Sequence, residues 1–257
     1  MMWPLVAVAA VFGLMIGSFL NVCIARIPEG ESIVSPGSRC PRCRTPIRWY
    51  DNLPVLSYLV LGGKCRSCRE PISARYPAVE LITAIAFALQ AFHVGDDFVL
   101  LASRLIFTAI LIVLFGTDYD VQRLPNVLTL PGLVIGLAFS AVQPPGLRDA
   151  VIGALLGAGI LQGIRLVWYA LRGVEGMGFG DVKMLAMIGA FLGWRNVIVV
   201  LFFSSLAGAI VGVALTVTGR QAMSTKLPFG TFMAVAAFAA SLYGERLAAW
   251  YLTYAWG

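Results

Sequence analysis

Two short acidic motifs stand at the ends of apolar runs, where a chain is least willing to place charge. Thr117-Asp118-Tyr119-Asp120 closes one run, and Gly178-Phe179-Gly180-Asp181 opens another. An ionised carboxylate in hydrocarbon costs about 2.5–3.5 kcal/mol even on the lenient insertion scale, so such residues usually serve a site. Two carboxylates held about 3 Å apart cannot both ionise, and the pair then shares a proton. The charged member can take a proton from water while the neutral one protonates a scissile carbonyl or leaving amine. That is aspartic-protease chemistry, and it uses neither a metal nor a nucleophilic side chain. The one histidine, His93, falls on the opposite face in the topology derived below, so a Ser-His or Cys-His mechanism has no base here. The same carboxylates fit two other roles. They could be interfacial residues that cap helices or pair with Arg123 and Lys183, Asp181 being well placed as an N-cap. They could also be the acids of a proton-coupled transporter.

A second constellation lies nearer the N-terminus: Cys40-Pro41-Arg42-Cys43 and Cys65-Arg66-Ser67-Cys68. The linker, 44–64, runs just beyond the roughly 15–20 residues usual between paired CxxC zinc knuckles. Each turn can aim two thiolates at one ion, and two turns close a tetrahedral four-sulfur site. Gly62-Gly63 supplies permissive backbone before the second turn. Arg39, Arg42, Arg44, Lys64, Arg66 and Arg69 offset the charge of four thiolates. Such a site leaves no open position for a catalytic water, so its role reads as structural, compensating a small core. Two disulfides are the alternative, and a reducing compartment disfavours them. Cys23, inside an apolar run, reads as a packing residue.

The elements that must position these groups are membrane spans. Of 257 residues, 59% are hydrophobic and 12% charged, with a mean hydropathy of +0.85. A soluble domain is about 45–50% apolar and about 25% charged, which excludes that class. Apolar runs occupy 1–25, 77–95, 98–117, 124–147, 150–171, 182–194, 196–219 and 228–250. About 20 residues cross a bilayer, so seven fit and the sixth, 182–194, must tilt, thin the bilayer or borrow the glycine-rich stretch before it. In alternation, every Lys and Arg except Arg104, Arg148, Arg195 and Arg246 gathers on one face, Arg220 and Lys226 included. The positive-inside rule makes that face cytoplasmic and the N-terminus external. Both acidic motifs then share the cytoplasmic face. The first run lacks a basic leader region and an A-x-A-like cleavage site, so it reads as a retained span rather than a signal peptide. The net charge of +6 is spent on topology, and no nucleic-acid interface is expected.

The expected architecture is therefore an all-α polytopic membrane protein of about eight spans, with a small cytoplasmic zinc-ribbon-like domain between the first and second. Its parts are a first span at 1–25, the cysteine domain at 26–76 and a membrane domain at 77–257.

Several motifs, in order and over nearly the whole chain, resemble the bacterial type IV prepilin leader peptidases with N-methyltransferase activity. They are Gly17-Ser18-Phe19-Leu20-Asn21-Val22 with Arg26-Ile27-Pro28, the two CxxC pairs, and Arg75-Tyr76-Pro77 with Glu80-Leu81. Asp118 through Leu124-Pro125, the Gly178–Lys183 box and Leu227-Pro228-Phe229-Gly230 follow. The resemblance implies Asp118 and Asp181 as the catalytic aspartates, with Asp120, Gly178, Gly180 and Lys183 supporting. It implies Cys40, Cys43, Cys65 and Cys68 as ligands of a structural zinc, S-adenosylmethionine as methyl donor, and prepilins and pseudopilins as substrates. These would be cut at the cytoplasmic face of the bacterial inner membrane, after a Gly that follows a short basic leader. The chain departs from the pattern at Asn126, where many members carry Asp, and at Thr231, where Pro is common. Neither departure is expected to touch the aspartates. No nucleotide-binding fingerprint marks a methyl-transfer site; Glu80, at the membrane edge, is the candidate, with an ion pair to Arg75 as its alternative. A transporter or assembly scaffold with a zinc-stabilised domain is the reading from another class. No inverted repeat of interrupted helices supports it.

Overall fold

The computed structural model describes residues 2–174, 176–218 and 227–256, which leaves Arg220 and Lys226 of the charge pattern outside the described residues. Those residues form eight α-helices and no strand: α1 Met2–Arg26, α2 Leu56–Val60, α3 Arg75–Val94, α4 Phe98–Val121, α5 Asn126–Ser140, α6 Leu147–Arg172, α7 Phe179–Val217 and α8 Phe229–Trp256. Five of them, α1, α3, α4, α6 and α7, are long and apolar enough to cross a membrane. The chain is a multi-pass helical membrane protein.

The helix ends follow local chemistry. Pro77 falls in the first turn of α3, where its missing N–H costs nothing. Gly173 closes α6 in the left-handed conformation at φ 69.

Three expected spans differ. The run 124–147 yields only the 15 residues of α5, because Pro125 precedes its first turn and the chain turns after Ser140. At about 1.5 Å per residue it is shorter than a bilayer core of about 30 Å. The runs 182–194 and 196–219 form one 39-residue element, α7, broken at Gly193 (φ 77, ψ 170).

The chain divides into two compact units, Met1–Leu101 and Ala102–Gly257. In the first, α1 lies along α3, with Asn21 Nδ2 donating to the Tyr76 carbonyl at 3.0 Å. In the second, the front half of α7 is the core, with Met184, Leu185, Met187 and Ile188 fully buried. A helix apolar on every side belongs inside a bundle, and small neighbours let the others close on it. A Cβ on Gly153 of α6 would stand 2.7 Å from the Gly189 carbonyl, and one on Gly136 of α5 2.8 Å from Phe191 Cδ2. The sixth run is short because protein surrounds it.

Candidate active site

Asp118 occupies the last turn of α4 and is 5% exposed. Its Oδ2 accepts two hydrogen bonds from one residue of α8, the Thr231 N–H at 2.8 Å and the Thr231 hydroxyl at 3.1 Å. The first N–H groups of a helix have no intrahelical acceptor. Asp118 therefore caps α8 from another helix and sets its charge at the positive end of the helix dipole. The departure at Thr231, expected to leave the aspartates untouched, falls on one of them. A proline there would supply neither donor. The signal available in the sequence was a hydroxyl residue in the first turn of an apolar helix, right after a glycine.

Asp181 reaches the same place through α7. Gly178 is extended (φ −72, ψ 146) and Asp181 is the third helical residue, half-buried. It is not the N-cap: Gly178 holds that position and no side chain caps the helix. Leu124, in the turn after α4, gathers the three elements. A Cβ on Gly180 would stand 2.8 Å from Leu124 Cβ, and one on Gly230 3.1 Å from Leu124 Cδ1 and 3.0 Å from Asp118 Oδ2. These glycines let the first turns of α7 and α8 close around Leu124, which puts the turn bearing Asp181 and the turn that holds Asp118 against one side chain.

The supporting residues divide. Gly180 is helical, and its need for glycine comes from Leu124. Gly178 is extended but open, since a Cβ there would make ordinary contact with Asp181 Oδ2 at 3.7 Å. Lys183 donates to Asn126 Oδ1 and lies 4.7 Å over the Phe179 ring rather than pairing with an aspartate. Asp120 is exposed.

The four cysteines form a second centre. All are unbridged, and their Sγ atoms lie within 4.8 Å of one another, Cys40 and Cys68 at 3.9 Å. A tetrahedral ion with metal–sulfur bonds of about 2.3 Å sets sulfurs about 3.8 Å apart, so the cage fits a zinc-sized cation. The two turns share one construction. Cys40 N–H donates to the Thr45 carbonyl and Arg44 N–H to that of Cys40, as Cys65 does to Glu70 and Arg69 to Cys65. Bridges from Arg39 to Pro46 and from Lys64 to Pro71 close them. Arg44 (φ 59) and Arg69 (φ 62) hold the same left-handed corner. The Thr45 hydroxyl draws the Cys43 thiol down to about 6. Cys68 goes the other way, to about 11: a backbone hydrogen bond at Glu70 lowers it, but burial and the sulfurs of Cys43, Cys65 and Cys40 together raise it further. Four crowded sulfurs cannot all ionise without a cation among them.

Glu80 is buried on α3, 8% exposed, and its Oε2 accepts the Val55 N–H at 2.7 Å. Val55, the residue before α2, has φ 59, a conformation a β-branched residue rarely takes.

A profile described as the bacterial peptidase A24 N-terminal domain matches residues 11–94, and one described as the type IV leader peptidase family matches 105–213. A relative from Aeromonas hydrophila, named prepilin leader peptidase/N-methyltransferase, is 40% identical over 276 aligned positions, covering 98% of this chain and 95% of the relative. One of the same name from Pseudomonas aeruginosa is 38% identical, covering 95% of this chain and 92% of the relative. Another from Myxococcus xanthus is 42% identical, covering 87% of this chain and 67% of the relative. No solved structure matches.

Proposed function

The chain belongs to the type IV leader peptidase family, and from that membership we propose what it does and with which residues. It cleaves the leader of prepilins and N-methylates the N-terminus so exposed. Asp118 and Asp181 are the cleaving pair: one takes a proton from water as its oxygen attacks the scissile carbonyl carbon, and the other gives its proton to the carbonyl oxygen. When the C–N bond breaks, a proton returns to the leaving amine. The observation that carries this reading is the buried Asp118 carboxylate, held by Thr231 beside Leu124, on which the first turn of α7 that bears Asp181 also packs.

The substrates are prepilins and pseudopilins with short basic leaders, met at the cytoplasmic face of the inner membrane. The N-terminus is periplasmic, and the chain makes eight crossings: α7 counts as two, broken at Gly193, and α5 and α8 complete the set. The lysine and arginine distribution supports that orientation. The cysteine cage holds a structural zinc, supported by its four sulfur donors and their spacing. Residues 26–76 serve methyl transfer from S-adenosylmethionine with Glu80 in support, and the peptidase lies within 77–257.

The test is cleavage of a prepilin peptide by membranes carrying Asp118→Asn or Asp181→Asn, read as the leader-sized mass loss. Each substitution is expected to lower the rate by roughly 100- to 10,000-fold with membrane insertion intact, the range for losing a positioned acid or base. Wild-type cleavage by either variant would overturn the pair.

A further inference from the structure

The peptidase chemistry leaves part of the first unit unused: Asn21, Glu80 and the strained Val55 all face one cavity of about 680 Å³. That volume lies within the roughly 300–1,000 Å³ typical of small-molecule sites. Cys40 and Cys65 contribute to its wall, so the metal cage shapes one side of it. Asn21 spends its amide donors on the Gly17 and Tyr76 carbonyls, which leaves its Oδ1 as an acceptor. Glu80 brings a carboxylate more than nine-tenths buried, held in place by the Val55 N–H and supported by the Ser18 hydroxyl. Val55 keeps an unfavourable backbone conformation to make that bond, and such strain collects where a site must hold a group in position.

We propose that this cavity is the binding site of the methyl donor, with the Glu80 carboxylate recognising its positive charge. The assignment rests on the methyl-transfer reading and deepens it. S-adenosylmethionine carries a sulfonium and an ammonium, whereas the spent donor, S-adenosylhomocysteine, keeps only the ammonium. A fixed, poorly hydrated carboxylate therefore distinguishes the two ligands. In the transfer, the lone pair of the substrate's neutral α-amine forms a bond to the methyl carbon. The carbon–sulfur pair returns to sulfur as a neutral thioether, and water takes the proton from the alkylated nitrogen. Glu80 stabilises the positive charge before transfer and has no sulfonium to hold after it, so the product is released more readily than the donor.

The experiment is calorimetric titration of the detergent-solubilised full chain with each ligand separately, with circular dichroism and melting temperature as the folding controls. Glu80→Gln keeps an acceptor for Val55 and removes the charge. It is expected to weaken S-adenosylmethionine binding by at least about 10-fold, the loss for a hydrogen bond to a charged group, and S-adenosylhomocysteine binding by much less. Ala25→Trp places a bulky ring at an exposed position on the cavity wall and is expected to block both ligands. Affinities unchanged by both substitutions would overturn the cavity assignment and leave the methyl-transfer reading standing. Equal weakening of both ligands by Glu80→Gln would overturn the charge recognition. A wild-type chain that binds neither ligand would overturn the methyl-transfer reading itself.

Discussion

The cysteine cage and the aspartate pair solve opposite problems. The cage is made of two local turns that each fold on their own hydrogen bonds, from Cys40 to Thr45 and from Cys65 to Glu70. Their sequences agree at five of nine positions, both cysteines, the corner arginine and the closing Pro-Ile, in Arg39-Cys40-Pro41-Arg42-Cys43-Arg44-Thr45-Pro46-Ile47 against Lys64-Cys65-Arg66-Ser67-Cys68-Arg69-Glu70-Pro71-Ile72. The aspartate pair has no local unit. It joins the end of α4 to the beginnings of α7 and α8, and the contact that holds Asp118 spans 113 residues of sequence. A local device stands or falls with its own ligands, whereas a distributed one depends on neighbours that do no chemistry.

The largest effect that would test this contrast is loss of the metal. Cys40→Ser leaves three sulfur donors of four. The substitution is expected to take zinc from one equivalent per chain to near zero by elemental analysis. N-methylation of a pre-cleaved pilin peptide should fall more steeply than leader cleavage. If cleavage fell as far as methylation, the two regions would not be separable and the contrast would be wrong.

How much of each region could be read in advance follows from the same difference. The four cysteines announce their chemistry because ligand spacing within a turn is a local property. Asp118 and Asp181 were legible as charges in apolar surroundings, but nothing near either one in sequence says that Leu124 would seat both helices. Thr231 was visible only as a departure from a pattern, because its role is a contact with a residue on another helix. The shortness of α5 and the break at Gly193 were hidden for a related reason. Hydropathy records apolar length, and the front half of α7 is apolar because protein surrounds it. Glu80 illustrates the limit: its alternative as a surface ion pair with Arg75 was reasonable from spacing, whereas its Oε2 turns inward to the Val55 N–H.

A smaller effect sharpens the distributed side. Thr231→Val deletes the hydroxyl that bonds Asp118 and keeps the backbone donor. Losing one hydrogen bond to a charged group corresponds to roughly a 10-fold drop in kcat. KM should stay near wild type, because Thr231 acts on Asp118 through the bonds described above. Thr231→Ser returns the hydroxyl and should restore kcat to within about threefold. A valine variant as fast as wild type, or a serine variant as slow as valine, would show that the hydroxyl does not position the carboxylate.

The smallest effect belongs to the local side, and its sign is the informative part. Arg44 is exposed and holds φ 59 at the corner of the first knuckle. A non-glycine residue there costs about 1–2 kcal/mol, while glycine loses roughly 0.5–1 kcal/mol more in conformational entropy on folding than other residues. Arg44→Gly should therefore be neutral or stabilise the knuckle by up to about 1.5 kcal/mol, seen as unchanged or slightly slower zinc loss to a chelator. The zinc equivalent should stay at one, since no ligand moves. A marked acceleration of zinc loss would mean that the Arg44 side chain holds the cage. The knuckle would then depend on more than its ligands and its turn, as the aspartate pair depends on Leu124 and Thr231.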